Sequence, residues 1–136
     1  MKLNTVNTEC YANTKMQKLN EHLFAVGYLS SKLFNLAMNN SEHVKLSQVA
    51  FLAGCIHDIG KIDPEFQKWI CKQNLDSESE DGQHIVDSKK FSFEKHPRHN
   101  EISLCIIDII VHITARLSSH QKFCLRHVVY WHHAKP

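Results

Sequence analysis

The chain has 136 residues, 43% of them hydrophobic and 22% charged, with a formal net charge of +2. That length supports one hydrophobic core and so one domain, residues 1–136, and the balance excludes a disordered or collagen-like chain. A net charge this small also excludes a strong global field for gripping nucleic acid or membrane, so any such contact must use local patches.

Residues 1–12 are polar and patternless. Leu19, His22, Val26, Leu29, Leu33 and Leu36 then recur at helical spacing and predict a long first helix to about Met38, stopped by Asn39-Asn40-Ser41. Leu46, Val49, Ala50, Ala53 and Ile56 predict a second helix ending at Gly60. Asp63 suits an N-cap and Pro64 the first position of a third helix, which carries Phe66 and Trp69-Ile70 and ends near Lys72. Residues 73–95 include an acidic, serine-bearing stretch from Asn74 to Gln83 without periodicity, expected as a surface loop. A fourth helix is predicted from about Arg98 to Leu117, striped by Ile102, Ile106, Ile109 or Ile110, and Ile113. A fifth runs from about Gln121 to His133, with Leu125, Val128 and Val129. No stretch alternates as a strand does, so the fold class is all-α, a helical bundle.

Eleven histidines are the compositional outlier, and imidazole is the commonest protein metal ligand. Their positions matter more than their number. His22 lies on the stripe of the first helix. His57 lies on the inner face of the second, four residues after Ala53. His99 precedes Ile102 by three at the start of the fourth, and His132 follows Val128 by four in the fifth. Four helices each aim a histidine inward, and Asp58 and His133 sit beside two of them. Neutral imidazoles in an apolar core lack partners, and a buried unpaired carboxylate is costly; a cation satisfies all of them together. The other histidines read differently: His43 in a turn, His84 in the loop, His112 about half a turn off the His99 face, His120 and His127 on the surface. His96, before Pro97, is the alternative to His99 as a ligand.

Five cysteines, at 10, 55, 71, 105 and 124, form no C-x-x-C pair. They are expected as reduced thiols packed among apolar neighbours, in a cytoplasmic protein. No signal-peptide stretch opens the chain and no apolar run approaches membrane-spanning length, so no membrane partner is expected.

Mixed nitrogen and oxygen ligands fit manganese, iron, cobalt, nickel or zinc better than magnesium. A carboxylate flanked by histidines bridges two cations, and two divalent metals about 4 Å apart clamp a phosphoryl group and activate a bound water. Asp58 would be that bridge. Lys61, three residues on and just past Gly60, is either a phosphate-neutralising catalytic charge or a solvated lysine after a helix end.

His57-Asp58-Ile59-Gly60-Lys61 resembles the signature of the HD superfamily of metal-dependent phosphohydrolases. Three segments narrow the resemblance: HDIGKIDPEFQ (57–67) with its Phe66-Gln67 pair, Arg98-His99-Asn100-Glu101-Ile102-Ser103, and Trp131-His132-His133-Ala134-Lys135-Pro136. Together, over roughly residues 15–136, they resemble the HD nuclease domain of the type I CRISPR interference helicase-nuclease (Cas-three, double-prime form). The resemblance implies that His22, His57 and Asp58 hold a first metal, that Asp58 bridges to a second, and that His99, His132 and His133 complete the second. It implies a nuclease for single-stranded DNA, with a CRISPR helicase and an RNA-guided surveillance complex as partners.

Three departures stand out. Asn100 replaces a usual glutamate and Ala134 a common glycine, neither a ligand. The resemblance also implies a further aspartate for the first metal, from a helix after the double histidine. The chain stops at Pro136, and Asp108, nine residues after His99, falls on the opposite helix face. The bundle is therefore expected to lack its C-terminal helices, as a fragment or a truncated domain, with occupancy biased toward the second metal. Apolar faces of helices four and five would then be exposed, favouring a partner chain or self-association. The alternatives to a DNA nuclease are an HD hydrolase of nucleotides or cyclic nucleotides, and a catalytically impaired binding or regulatory domain. Basic candidates for tracking phosphates are Lys61, Lys68, Lys72, Lys95, Arg98 and Lys135; Trp69 and Trp131 fit equally as stacking platforms or core.

Overall fold

The helical spacings become five α-helices in the computed structural model, which describes residues 9–38, 43–77, 97–110 and 115–133. They are α1 (Leu19–Ala37), α2 (His43–Ile56), α3 (Pro64–Ser77), α4 (His99–Ile109) and α5 (Ser119–Trp131), with a short 3-10 helix at Ile59–Ile62 between α2 and α3. Among the described residues there is no strand, only an isolated bridge from Tyr11 to Lys18. No helix among them is long and apolar enough to cross a membrane.

The α1–α2 hairpin sets the frame. Its helices touch where Gly27 meets Gly54: a Cβ added to Gly54 would lie 2.5 Å from the Gly27 Cα. Only two residues without side chains allow backbones that close. A hydrogen bond between the Ser31 and Ser47 hydroxyls, 2.9 Å, fixes the crossing on its far side. The close approach carries His22, five residues before Gly27, to His57, three after Gly54, with ring centroids 5.4 Å apart. Sequence patterning has thereby become site geometry.

The core is built from Val49, Ala53 and Ile56 of α2, Ile107 of α4, and Leu125 and Val129 of α5. The apolar stripe of α1 does not follow it throughout. Leu29, Leu33 and Leu36 are exposed, Leu36 at 83%, because the described part of the bundle presents no helix to that half of the face. Val128, also expected inside, is exposed too; of the alternatives Ile109 and Ile110, Ile109 is exposed and Ile110 half-buried. Two of the cysteines, Cys55 and Cys124, pack half-buried against this core as expected; Cys105 is exposed, and all five are free thiols.

Several boundaries differ from expectation for local reasons. His43 is not in a turn; it is the first residue of α2. α2 ends at Ile56, four residues early, and the chain tightens into the 3-10 helix. α3 continues past Lys72 to Ser77, since Gln73 to Leu75 offer no helix breaker and a helix end without apolar spacing is invisible to periodicity. α4 stops at Ile109, well short of Leu117; the β-branched run Ile109-Ile110-Val111 is a poor helix former. α5 begins two residues early, at Ser119, because Ser118 and Gln121 form a capping box: the Ser118 hydroxyl accepts from the Gln121 N–H (3.2 Å) while the Gln121 amide oxygen accepts from the Ser118 N–H (2.8 Å).

Candidate metal centre

Asp58 sits in the turn between α2 and the 3-10 helix, at 3% exposure. Its two carboxylate oxygens face different partners. Oδ2 lies 3.3 Å from His22 Nε2, 3.3 Å from His57 Nε2 and 2.6 Å from Lys61 Nζ. Oδ1 lies 3.2 Å from His99 Nε2 and 3.2 Å from His132 Nε2. His133 joins the second group, its Nε2 2.6 Å from His99 Nε2. Two ligand sets result, His22-His57-Asp58 and Asp58-His99-His132-His133, each with ligand atoms within 4.8 Å of one another. They share one carboxylate and divide its oxygens between them.

The tautomers follow from backbone contacts. His57 Nδ1 is 2.6 Å from the Gly54 carbonyl, and His132 Nδ1 is 2.6 Å from the Val129 carbonyl. Each ring, when neutral, commits its one N–H there and turns a lone pair at an Asp58 oxygen. Acceptor then faces acceptor at hydrogen-bond distance on both sides of the carboxylate. Such an arrangement is stable only with positive charge between the atoms, and neutral imidazole nitrogens plus a carboxylate are what a borderline divalent cation takes. The donor set therefore fits the metal ions that the sequence suggested.

Burial alone would push the Asp58 carboxyl up. The His132, His57 and His99 rings, where they carry a proton on Nε2, and the Lys61 ammonium outweigh burial and hold it well below the usual carboxylate range. Burial lowers His22, with Asp58 opposing. Burial, then the neighbouring His132 and His99, push His133 down to about 4. His22 and His133 are thus held in the form that ligates.

Backbone supports fix this arrangement. The Gly60 N–H donates to the Ser103 hydroxyl (2.9 Å), which donates to the His99 carbonyl (2.7 Å). A Cβ on Gly60 would lie 2.0 Å from that same carbonyl. Ser103 and Gly60 thus seat the turn bearing Asp58 on the first turn of α4. Asn100 donates from Nδ2 to the Tyr130 carbonyl (2.7 Å), satisfying an α5 terminal carbonyl that no helical N–H reaches. This ties the helix carrying His99 to the one leading into His132 and His133. Gln67 binds the Tyr11 N–H through Oε1 (2.8 Å), and through Nε2 the carbonyls of Tyr11 (2.9 Å) and Lys61 (2.6 Å). Phe66 beside it is buried, its ring 6.1 Å from that of His99. Gly60, Ser103, Asn100 and Gln67 thus hold the backbone around the cluster in place.

All six proposed ligands come together, and Lys61 joins them. His120 and His127 are exposed, as expected. Asp108 is remote from the site, paired with Arg126 on the α4–α5 surface. Trp131 is 54% exposed rather than core. Lys68 pairs with Glu65 (2.5 Å) in solvent. His84, His96, His112, Lys95, Ala134 and Lys135 lie outside the described residues. Sequence reasoning named the residues of this cluster, but it read Gly60 only as a helix end, and Ser103, Asn100 and Gln67 only as motif positions, without the hydrogen bonds they make. The motifs already pointed to all three of those positions, Asn100 as a departure from the usual glutamate.

Residues 11–136 match the family model described as Cas3, HD domain. No curated protein and no solved structure matches the chain.

Proposed function

The chain belongs to the Cas3 HD-domain family, and from that premise we propose that it is a phosphodiesterase that cuts single-stranded DNA in type I CRISPR interference. The family is one of metal-dependent HD nucleases of CRISPR systems. The observation that carries the reading is the division of the Asp58 carboxylate, Oδ2 toward His22 and His57, Oδ1 toward His99 and His132. His22, His57 and Asp58 would hold one cation; Asp58, His99, His132 and His133 the other. Bound there, a pair of transition-metal ions supplies Lewis-acid activation of water and neutralises charge on the phosphate.

The protein's own contribution is orientation and charge. The Gly54 and Val129 carbonyls lock the rings of His57 and His132, so both ligating nitrogens point at one carboxylate. The Ser103 and Asn100 hydrogen bonds hold the two ligand-bearing helices in register. Lys61 brings an ammonium to the same carboxylate, near where a phosphate would meet the metals. The CRISPR helicase and the RNA-guided surveillance complex would deliver the unwound strand.

Metal add-back tests this. Chelator-stripped protein receives manganese, cobalt, nickel, zinc or magnesium singly, with end-labelled single-stranded DNA, duplex DNA or a mononucleotide. A His57→Ala/Asp58→Ala variant runs in parallel. Cutting of the single strand with a transition metal, absent in the variant, is the expected result. Hydrolysis of the mononucleotide alone would move the assignment to a nucleotide hydrolase. A folded, metal-binding protein that cuts nothing would make it a binding domain.

A further inference from the structure

Lys61 is held more firmly than a solvated lysine after a helix end. Its N–H donates to the Asp58 carbonyl (2.9 Å), closing the 3-10 turn. Its own carbonyl accepts from Gln67 (2.6 Å), and Gln67 is anchored on both sides of Tyr11. With its backbone fixed at both ends, the side chain turns inward, at 14% exposure, and donates to Asp58 Oδ2 at 2.6 Å. That is closer than either histidine nitrogen comes to the same oxygen. No lysine contacts Oδ1 among the described residues.

The two ligand sets are therefore unequal. The Oδ1 side offers three imidazoles and one carboxylate oxygen; the Oδ2 side offers two imidazoles and an oxygen already carrying a cation. An ammonium and a divalent metal compete for Oδ2, since like charges at that separation repel in a half-buried site. We propose that Lys61 is a built-in competitor for the His22-His57-Asp58 site. The first metal loads on the His99-His132-His133 side, and a second binds only by displacing the Lys61 ammonium from Oδ2. This inference rests on the metal-centre reading and concerns the order of loading within it.

Calorimetric titration of chelator-stripped protein with cobalt tests the order, with metal content measured after gel filtration. The wild type should bind one ion tightly and a second weakly, and His22→Ala should abolish only the weak step. Lys61→Met should tighten the weak step by about tenfold or more, as removal of a like charge at close range requires, and shift the tight step, whose metal sits further off on Oδ1, by clearly less. Lys61→Arg should keep it weak. An unchanged or weakened second step in a folded Lys61→Met would overturn the inference while leaving the metal centre standing. A wild type that binds no cobalt would overturn both. Should Lys61→Met fail to fold, the lysine ammonium nitrogen spectrum of the wild type decides. The Lys61 signal should move mainly on the second equivalent; its main movement on the first contradicts the competition.

Discussion

Gly60 illustrates how little slack the site has at the scale of single residues. Its N–H is committed to Ser103, and the space where a methyl would go is filled by the His99 carbonyl. Gly60→Ala should therefore destabilise the fold by at least the ~1–3 kcal/mol of an overpacked core. Ser103→Ala leaves the buried Gly60 N–H without its acceptor and should cost about 1–3 kcal/mol. Melts of metal-free protein check both; an unchanged Tm for Ser103→Ala would mean that the turn is not seated as described. A pH effect follows from His22 and His133, both held below the usual histidine value, His133 at about 4. Between about pH 6.5 and 4 the unfolded chain binds protons on these rings that the folded chain refuses, so stability falls as pH drops through that window. Asp58, held low, adds to the loss only below the ordinary carboxylate range. Thermal melts of chelator-stripped protein from pH 7.5 to 5 should show a falling Tm; a rising one would mean that these rings charge in the fold. The clustered histidines were legible because apolar neighbours at helical spacing fix which way they face. The tautomer-setting carbonyls were not, since a backbone contact leaves no residue-type trace.

Among the elements, helix existence was legible and helix faces only in part. Each of the five helices among the described residues overlaps one that the sequence predicts, though their ends differ, because the 3.6-residue pattern and the capping signals report local geometry. Which partner covers a stripe is a tertiary fact, so the exposure of Leu29, Leu33 and Leu36 was not readable from α1 alone. The early start of α5 was readable, from serine and glutamine three apart ahead of an apolar run. The same helix yields a contrast to test. Leu125 is fully buried in the core, and Leu125→Ala should cost about 2–5 kcal/mol. Phe123 is 64% exposed, and Phe123→Ser should cost under about 0.5 kcal/mol as an ordinary surface change. Denaturant titration of both variants checks the contrast, and a reversed order would mean that α5 presents its other face.

For the whole molecule, a bundle with a histidine cluster around the buried Asp58 beside its core and apolar patches outside has two consequences. Phe24, Leu29, Leu33 and Leu36 of α1 and Phe123, Val128 and Trp131 of α5 are all exposed. Apolar surface of that kind seeks a partner, so the chain should self-associate with rising concentration in size-exclusion with light scattering, and a monomer throughout would contradict this. The other consequence is the centre itself, where four elements converge on Asp58 and its two oxygens face separate histidine sets. Anomalous diffraction from crystals saturated with manganese tests that arrangement most directly. Two peaks about 4 Å apart, one on each side of the Asp58 carboxylate, are the predicted result. Manganese bound away from Asp58, or none at all at saturation, would contradict the account.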